Sequence, residues 1–338
     1  MNLFNKARVY QLSADGLGQD TQSLNELLLH YTSRDPEYQE IENWGFVPPL
    51  APEGELVEEL TALGTLQHVP YKPLWLRVRH IKRNLPAAVV KRAVSNRVAE
   101  IEEDEDRKVR GREKQEIKEQ VLIELLPKAF LVERDIQILI VADYLIIDNV
   151  SPSVGDAITY LLRKALGSLK CAPLRTHDDP AQVLTHCVAA RRDPGTQLYL
   201  GNSFKVNAIL EKAVSLSGKN LSLSDQGADV LDGLSEQYHI SELGLLLELK
   251  PGAGGGVVDF TLTDQLTFKG IGWPEEFIAA AETTLGDEYD QYDALLTNMA
   301  LVANGLNGLI DYTTSVLGGR RELPVTSEDE TDTDEELI

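Results

Sequence analysis

Two stripes of apolar residues at helical spacing stand out between Asn84 and Phe130. The first has spacings of four, four and three residues and consists of Val90, Val94, Val98 and Ile101. The second consists of Ile117, Val121, Leu122, Leu125 and Leu126. Residues at these spacings share one face of a helix, and Pro86 and Pro127 suit the start and the end of one. The pattern therefore predicts two consecutive helices, with Gly111 in the charged segment between them.

Outside this segment the pattern predicts short strands interspersed with helices. The predicted strands are Ala7–Ser13, one or two within Leu66–His80, Phe130–Arg134, Ile136–Ala142, Tyr144–Ile147, Leu245–Leu249 and Val257–Leu262. The predicted helices are Thr21–Tyr31, Val154–Leu166, Tyr292–Val316 and one that begins at Pro274. Ser203–Val214 fits either type. Strands followed by a helix in this order indicate an α+β fold with antiparallel sheets.

Length and composition narrow the class of protein. A chain of 338 residues exceeds one ordinary core, so two or three lobes are expected. No apolar run is long enough to span a membrane, and the first ten residues lack the apolar core of a signal peptide. The only cysteines, Cys171 and Cys187, fit neither a disulfide framework nor a zinc site. We therefore expect a cytoplasmic protein with reduced thiols.

Charge is distributed unevenly along the chain. The net charge is −22, yet residues 71–99 contain eight basic side chains and no acidic one. These are Lys72, Arg77, Arg79, Lys82, Arg83, Lys91, Arg92 and Arg97. Such a segment in an acidic chain indicates a polyanionic partner. The alternative is an ordinary solvated helical hairpin.

The last twelve residues, 327–338, contain seven acids and no base. This composition predicts a disordered tail. Two roles are open for it. The acids compete with nucleic-acid phosphates for a basic surface, or the tail, with Leu337 and Ile338 at its end, docks on a partner protein.

Several short motifs resemble those of the RdgC family of recombination-associated, DNA-binding proteins. They are Arg8–Ser13, Trp44–Pro49, Leu85–Pro86 with Val90–Lys91, Leu125–Phe130, and Leu161–Leu169 followed by Pro173–Leu174. Leu125–Phe130, which reads LLPKAF, is close to identical to the family's LLPRAF. The motifs occur in the family's order at compatible spacings. The likeness is strong over residues 1–175, thin to about residue 270, and returns faintly before Gly319.

The resemblance implies a crescent-shaped, multi-lobed α+β subunit that pairs into a closed ring around duplex DNA. Residues 1–83 with 129–175 would form a central lobe, 84–128 a helical base at the interface, and 176–326 a C-terminal lobe with the tip. Such a homodimer would bind DNA without sequence preference and limit the access of a RecA-type recombinase, modulating recombination and fork repair. It would be nucleoid-associated, would not be an enzyme, and would need no cofactor.

Site residues follow from the charge pattern and from the resemblance. The basic segment indicates a DNA-facing surface made of Arg77, Arg79, Lys82, Arg83, Lys91, Arg92 and Arg97. Lys219 and Asn220 occupy the place of a Lys-Gln pair that the family uses near its tips, although a solvated loop is the alternative. Phe130 matches a phenylalanine of the family's subunit interface, whereas the residue type alone favours a place in the core.

Other chemistry is weakly indicated. Glu116-Ile117-Lys118 matches the E-x-K of metal-dependent nucleases, but it falls within a predicted helix rather than at a strand end. The cluster around His177 and His186 has no known metal-ligand spacing, and Gly252–Gly256 lacks the pattern of a phosphate-binding loop. A recombination nuclease and an acidic protein that mimics DNA or captures a repair protein remain the alternatives to a DNA-binding protein.

Overall fold

The computed structural model describes residues 4–13, 17, 21–38, 40–49, 73–208, 215–219, 238–250, 255–275 and 291–323. The strands in these ranges are β1 Lys6–Leu12, β2 Glu42–Val47, β3 Leu74–Asn84, β4 Phe130–Val141, β5 Tyr144–Ile147, β6 Cys171–Pro173, β7 Leu198–Ala208, β8 Ser215–Lys219, β9 Tyr238–Glu248, β10 Val257–Thr263 and β11 Thr267–Gly272. The α-helices are α1 Thr21–Leu29, α2 Ala87–Asp104, α3 Gly111–Leu125, α4 Pro152–Leu166, α5 Pro180–Ala190 and α6 Gln291–Val316.

These strands form one antiparallel sheet. Its order is β2-β3-β4-β5-β1-β11-β10-β9-β7-β8, and β6 pairs with the second half of β1. Because β1 pairs with β5 on one side and β11 on the other, it joins the two halves of the sheet. The predicted α+β class with an antiparallel sheet is confirmed.

Helices cover opposite faces in the two halves of the sheet. Ile136, Ile138 and Ile140 of β4 enter a core with α1 and α4, whereas Leu139 and Val141 enter a second core with α5 and α6. This division follows from the alternation of side chains along a strand.

The two predicted helices are confirmed as a hairpin with a small core of its own. Val90 and Val94 of α2 pack with Ile117 and Val121 of α3, and all four side chains are buried. Leu126–Lys128 continues α3 as one turn of 3-10 helix, which contains Pro127. The apolar stripes thus serve to hold the hairpin together rather than to attach it to the sheet.

Several predicted boundaries change. The strands predicted at Phe130–Arg134 and Ile136–Ala142 are one strand, β4, because Asp135 pairs with Arg79 across the ladder instead of ending the strand. The strand predicted within Leu66–His80 runs from Leu74 to Asn84, and the segment compatible with helix or strand near Ser203 is β7. Most of the helix predicted from Pro274 lies outside the described residues.

The sheet is continuous across residue 175, where the sequence predicts a boundary between the central and C-terminal lobes. A network of side chains supports this continuity. Tyr144 of β5 donates a hydrogen bond to Asp311 of α6 at 2.8 Å, and Arg320 pairs with Asp143 at 3.0 Å. The lobe boundaries and the crescent shape stay predictions, and the tail 327–338 lies outside the part of the chain that the structure describes.

Candidate nucleic-acid interface

The basic residues of β3 divide between the two faces of the sheet. Arg77, Arg79 and Arg83 occupy alternate positions and share one face, whereas Lys82 lies on the opposite face with His80. The common face of Arg77 and Arg79, expected from the period of two, is therefore present. The separation of Lys82 means that the basic segment does not form a single surface.

Arg77 and Arg79 are neutralised by acids of β4. Arg79 donates two hydrogen bonds to Asp135, at 2.7 and 2.9 Å, and its guanidinium lies 3.1 Å from Glu133. Arg77 lies 3.8 Å from Asp135 and donates a hydrogen bond to the carbonyl oxygen of Pro48 at 2.6 Å. Burial lowers the pKa of Arg77, against the opposing effect of Asp135. The charges of Arg77 and Arg79 are thus balanced by two carboxylates.

Arg83 binds backbone carbonyl groups of neighbouring segments. Its guanidinium donates hydrogen bonds to four carbonyl oxygens, those of Pro36, Glu37, Glu40 and Leu126. These bonds connect the loop before β2 to the end of α3. Arg83 therefore has a structural role.

On the opposite face, Lys82 belongs to a group built around Glu42. The Glu42 carboxylate lies 3.0 Å from His80 Nε2 and 3.7 Å from Lys82 Nζ. His80 stacks on Trp44 with ring centroids 3.9 Å apart. Arg134, directly opposite His80 on β4, adds an exposed cation to this face. Arg134 is absent from the predicted set, because only the pairing of β3 with β4 reveals its position.

Helix α2 carries three exposed cations of the basic segment. Lys91 and Arg92 are exposed beside the buried Val90 and, within the described residues, neither has an ion-pair partner. Arg97 is exposed too, but its guanidinium lies 3.2 Å from Glu124 of α3. Of the seven predicted basic residues, Lys91 and Arg92 are therefore the best placed to meet phosphates.

The proposed tip residues are only partly described. Lys219 is the last residue of β8 and stands opposite Ser203 of β7. Asn220 lies outside the described residues. Their role in DNA binding stays a prediction.

Phe130 is the most exposed large apolar residue in the described part of the chain, with 85% of its surface accessible. It is the first residue of β4, opposite Asn84, and shares a face with the partly exposed Val132. The core that covers this face begins only at Ile136. A place for Phe130 in the core of the subunit is therefore wrong, and its place in a subunit interface stays a prediction.

The sequence patterns that resemble a nuclease motif and a metal site do not form such a site among the described residues. Ile117 of the E-x-K match is buried in the hairpin, while Glu116 is exposed and pairs with Arg112 at 3.5 Å. Among the described residues, no group of three or more His, Cys, Asp and Glu is placed to hold a metal ion.

No helix in the described ranges is long and apolar enough to cross a membrane. Cys171 and Cys187 are free thiols.

Comparison with known proteins decides the family. A family model described as "Putative exonuclease, RdgC" matches residues 2–320, nearly the whole chain. The chain belongs to the RdgC family. It is 30% identical over 261 residues to the recombination-associated protein RdgC of Cupriavidus pinatubonensis, covering 77% of this chain and 83% of that protein.

A second RdgC relative extends the match further. The recombination-associated protein RdgC of Shewanella sediminis is 28% identical over 310 residues, covering 89% of this chain and 93% of that protein. The family match therefore includes the C-terminal half, where the motifs alone give a thin likeness. Membership of the RdgC family, expected from those motifs, is confirmed.

Proposed function

We propose that this protein binds double-stranded DNA without sequence specificity, as a homodimer that closes into a ring. In the proposed role it limits the access of a RecA-type recombinase to DNA and so modulates recombination and the repair of replication forks. The observation that carries the proposal is a pair of exposed cations on α2, Lys91 and Arg92, which lie in a stretch free of acids and have no ion-pair partner among the residues that the structure describes. The names of the relatives, which are recombination-associated proteins, support the process.

The charge distribution supports phosphate contacts rather than base readout. Lys91 and Arg92 stand on an exposed helix face in a chain of net charge −22. Contacts to phosphates position a protein on DNA but carry no sequence information. An otherwise acidic body limits DNA binding to the basic surface, which suits a ring that DNA threads.

The exposed Phe130 supports the proposed dimer. An aromatic side chain that is 85% accessible in the subunit is the kind of residue that anchors a protein interface once it is covered. The adjacent Leu131 is partly exposed and adds apolar surface at the start of β4. In this proposal the interface lies at the end of the β3-β4 ladder, beside the helical hairpin.

The proposal is tested by equilibrium binding to linear and covalently closed DNA over a series of salt concentrations. We expect affinity to fall steeply with salt and to vary little among duplex sequences of equal length. A topologically closed ring should also slide off linear DNA and stay on a closed circle when salt is raised. No binding at low salt would contradict the proposal and favour an acidic protein that mimics DNA or captures a repair protein.

A nuclease is the second candidate, because the description of the family model contains the word exonuclease. We propose that the protein is not an enzyme and acts without a cofactor. Incubation with linear and plasmid DNA in Mg²⁺ or Mn²⁺ separates the candidates. Release of nucleotides that scales with protein and is abolished by EDTA would establish the nuclease and contradict this part of the proposal. For the place of action we propose the cytoplasm and its nucleoid.

A further inference from the structure

A cleft with a volume of about 420 Å³ lies at the end of the β3-β4 ladder, on the face that carries Lys82. Lys82, Arg83 and Arg134 contribute the positive charge of its wall, and Leu85 and Val132 contribute apolar surface. The Arg83 guanidinium is already bonded to backbone carbonyl oxygens. None of the described residues that line the cleft is acidic. The cleft therefore combines cations with apolar groups, unlike the balanced Arg79 face on the other side of the sheet.

Two cations of this cleft, Lys82 and Arg134, are available for a ligand. Arg134 is exposed and, in the described part of the chain, has no ion-pair partner. The side chain of Lys82 is 55% accessible, and its ion pair with Glu42 is long, at 3.7 Å. Lys82 stands opposite Val132 and His80 stands opposite Arg134, so both cations lie on one face of the ladder, two positions apart.

The sequence supplies a segment of matching chemistry. Residues 332–338, DTDEELI, place four acids directly before Leu337 and Ile338. Acids would meet Lys82 and Arg134, while the two apolar side chains would meet Leu85 and Val132. The phosphate backbone of DNA would supply negative charges for Lys82 and Arg134, but it has no aliphatic side chains to contact Leu85 and Val132.

The tail is long enough to reach the cleft. Arg320 contacts Asp143, which follows β4, and Arg134 precedes Asp143 by nine residues along the chain. At about 3.3 Å per residue, this is a separation of roughly 30 Å. The acids at 332–336 follow Arg320 by 12 to 16 residues, a reach of at most about 40 to 55 Å.

We propose that the acidic tail of this chain docks in the cleft between Lys82 and Arg134. The contact itself does not require DNA. Its consequence rests on the proposed function, because a docked tail would compete with phosphates for cations near the helical hairpin. The tail would then act as a built-in brake on DNA binding that high salt weakens.

The contact is tested first without DNA. A fluorescent peptide of residues 326–338 is titrated at low salt into protein that lacks residues 327–338, and its anisotropy is recorded. We expect saturable binding that weakens at least tenfold in a Lys82→Gln/Arg134→Gln variant. Lys114→Gln/Lys118→Gln, which removes the same charge from exposed positions of α3, should change the affinity less than twofold.

A peptide variant guards against misfolding of the cleft variant. Replacing Asp332, Asp334, Glu335 and Glu336 by their amides leaves the protein untouched and should abolish binding. Equal peptide affinity in the cleft and control variants would overturn the proposal. A cleft variant that keeps the peptide but loses the dimer would also overturn it, by assigning the cleft to a second copy of the chain.

The consequence is tested in the full chain. Deleting residues 327–338 should tighten DNA binding severalfold at low salt, and this gain should vanish when Lys82 and Arg134 are already replaced. A gain of the same size in both backgrounds would contradict the proposed site of the brake. Peptide binding without any DNA binding would instead contradict the proposed function and still support the contact between the tail and the cleft.

Discussion

Arg79 and Asp135 face each other across β3 and β4 and form two hydrogen bonds, at 2.7 and 2.9 Å. Asp135 also lies 3.8 Å from Arg77, so one carboxylate neutralises two of the cations expected to meet DNA. A phosphate approaching this face must compete with a carboxylate that is already in place. The strand therefore offers DNA less charge than its sequence suggests.

Replacing Asp135 by Asn should remove the carboxylate and leave more of the positive charge of Arg77 and Arg79 available to phosphates. If the β3 face contacts DNA, the affinity at low salt should rise and the slope of log affinity against log salt should become steeper by about 1. Asp259→Asn, which removes an exposed acid from β10, is the control and should leave the slope unchanged. An unaltered slope in the Asp135 variant would show that DNA does not touch Arg77 and Arg79.

Phe130→Ala should weaken the proposed dimer without unfolding the subunit. The side chain is 85% exposed, so its removal should change the free energy of unfolding of the subunit little. Loss of an aromatic anchor from an interface typically costs about 2–4 kcal/mol of association. Sedimentation velocity over a range of concentrations measures this loss. Tyr160→Ala, a truncation of an exposed aromatic on α4, is the control, and equal effects of both substitutions would contradict the assignment.

Ile117→Ala should loosen the helical hairpin and spare the sheet. Ile117 is buried in the small core that α2 and α3 form on their own. Truncating a buried isoleucine costs about 2–5 kcal/mol, which is large for a core built around four buried side chains. Hydrogen exchange should show lost protection within residues 87–125 and native protection in β4 and β5. Uniform loss across the sheet would indicate that the hairpin is not an independent unit.

The local pattern predicted the hairpin well because its contacts lie between residues close in sequence. The spacing of Val90 and Val94 fixes which side of α2 is apolar, and the same side meets α3 in the structure. The motifs of the RdgC family identified the family, which the hydrophobic pattern alone does not. Neither the pattern nor the motifs could show which residue each charged side chain pairs with.

The charge balance of the candidate nucleic-acid interface was harder to predict, because it depends on pairs of residues that are far apart in the sequence. Arg79 and Asp135 are 56 residues apart, and only the register of β3 with β4 brings them together. The same register places Arg134 beside His80. Phe130 was equally ambiguous, because its exposure depends on where the helices above the sheet end.

Asp148 should make the stability depend on pH. Burial raises the pKa of Asp148 to about 6, against the opposing effect of Lys6, and its Oδ1 atom has no hydrogen-bond partner in the described residues. A carboxyl with a raised pKa binds its proton more tightly when folded. Its stabilising contribution is present below about pH 4 and is lost as the pH rises through 6.

Asp148→Asn should therefore remove part of this pH dependence. The loss between about pH 4 and 7 is roughly 1 kcal/mol, after allowing for partial solvent exposure. Urea unfolding of both proteins across that range measures it, and the difference between them should grow with pH. A constant difference would show that Asp148 titrates normally in the folded protein.

The proposed DNA binding through α2 is tested most directly by replacing Lys91 and Arg92 together with Gln and measuring duplex affinity across salt. Each neutralised phosphate contributes about −0.9 to the slope of log affinity against log salt. The double variant should flatten the slope of the dimer by about 2 per subunit that contacts DNA and weaken all sequences alike. The Lys114→Gln/Lys118→Gln variant of α3 provides the control of equal charge. An unchanged slope in the α2 variant, or equal flattening in both variants, would contradict the proposed surface.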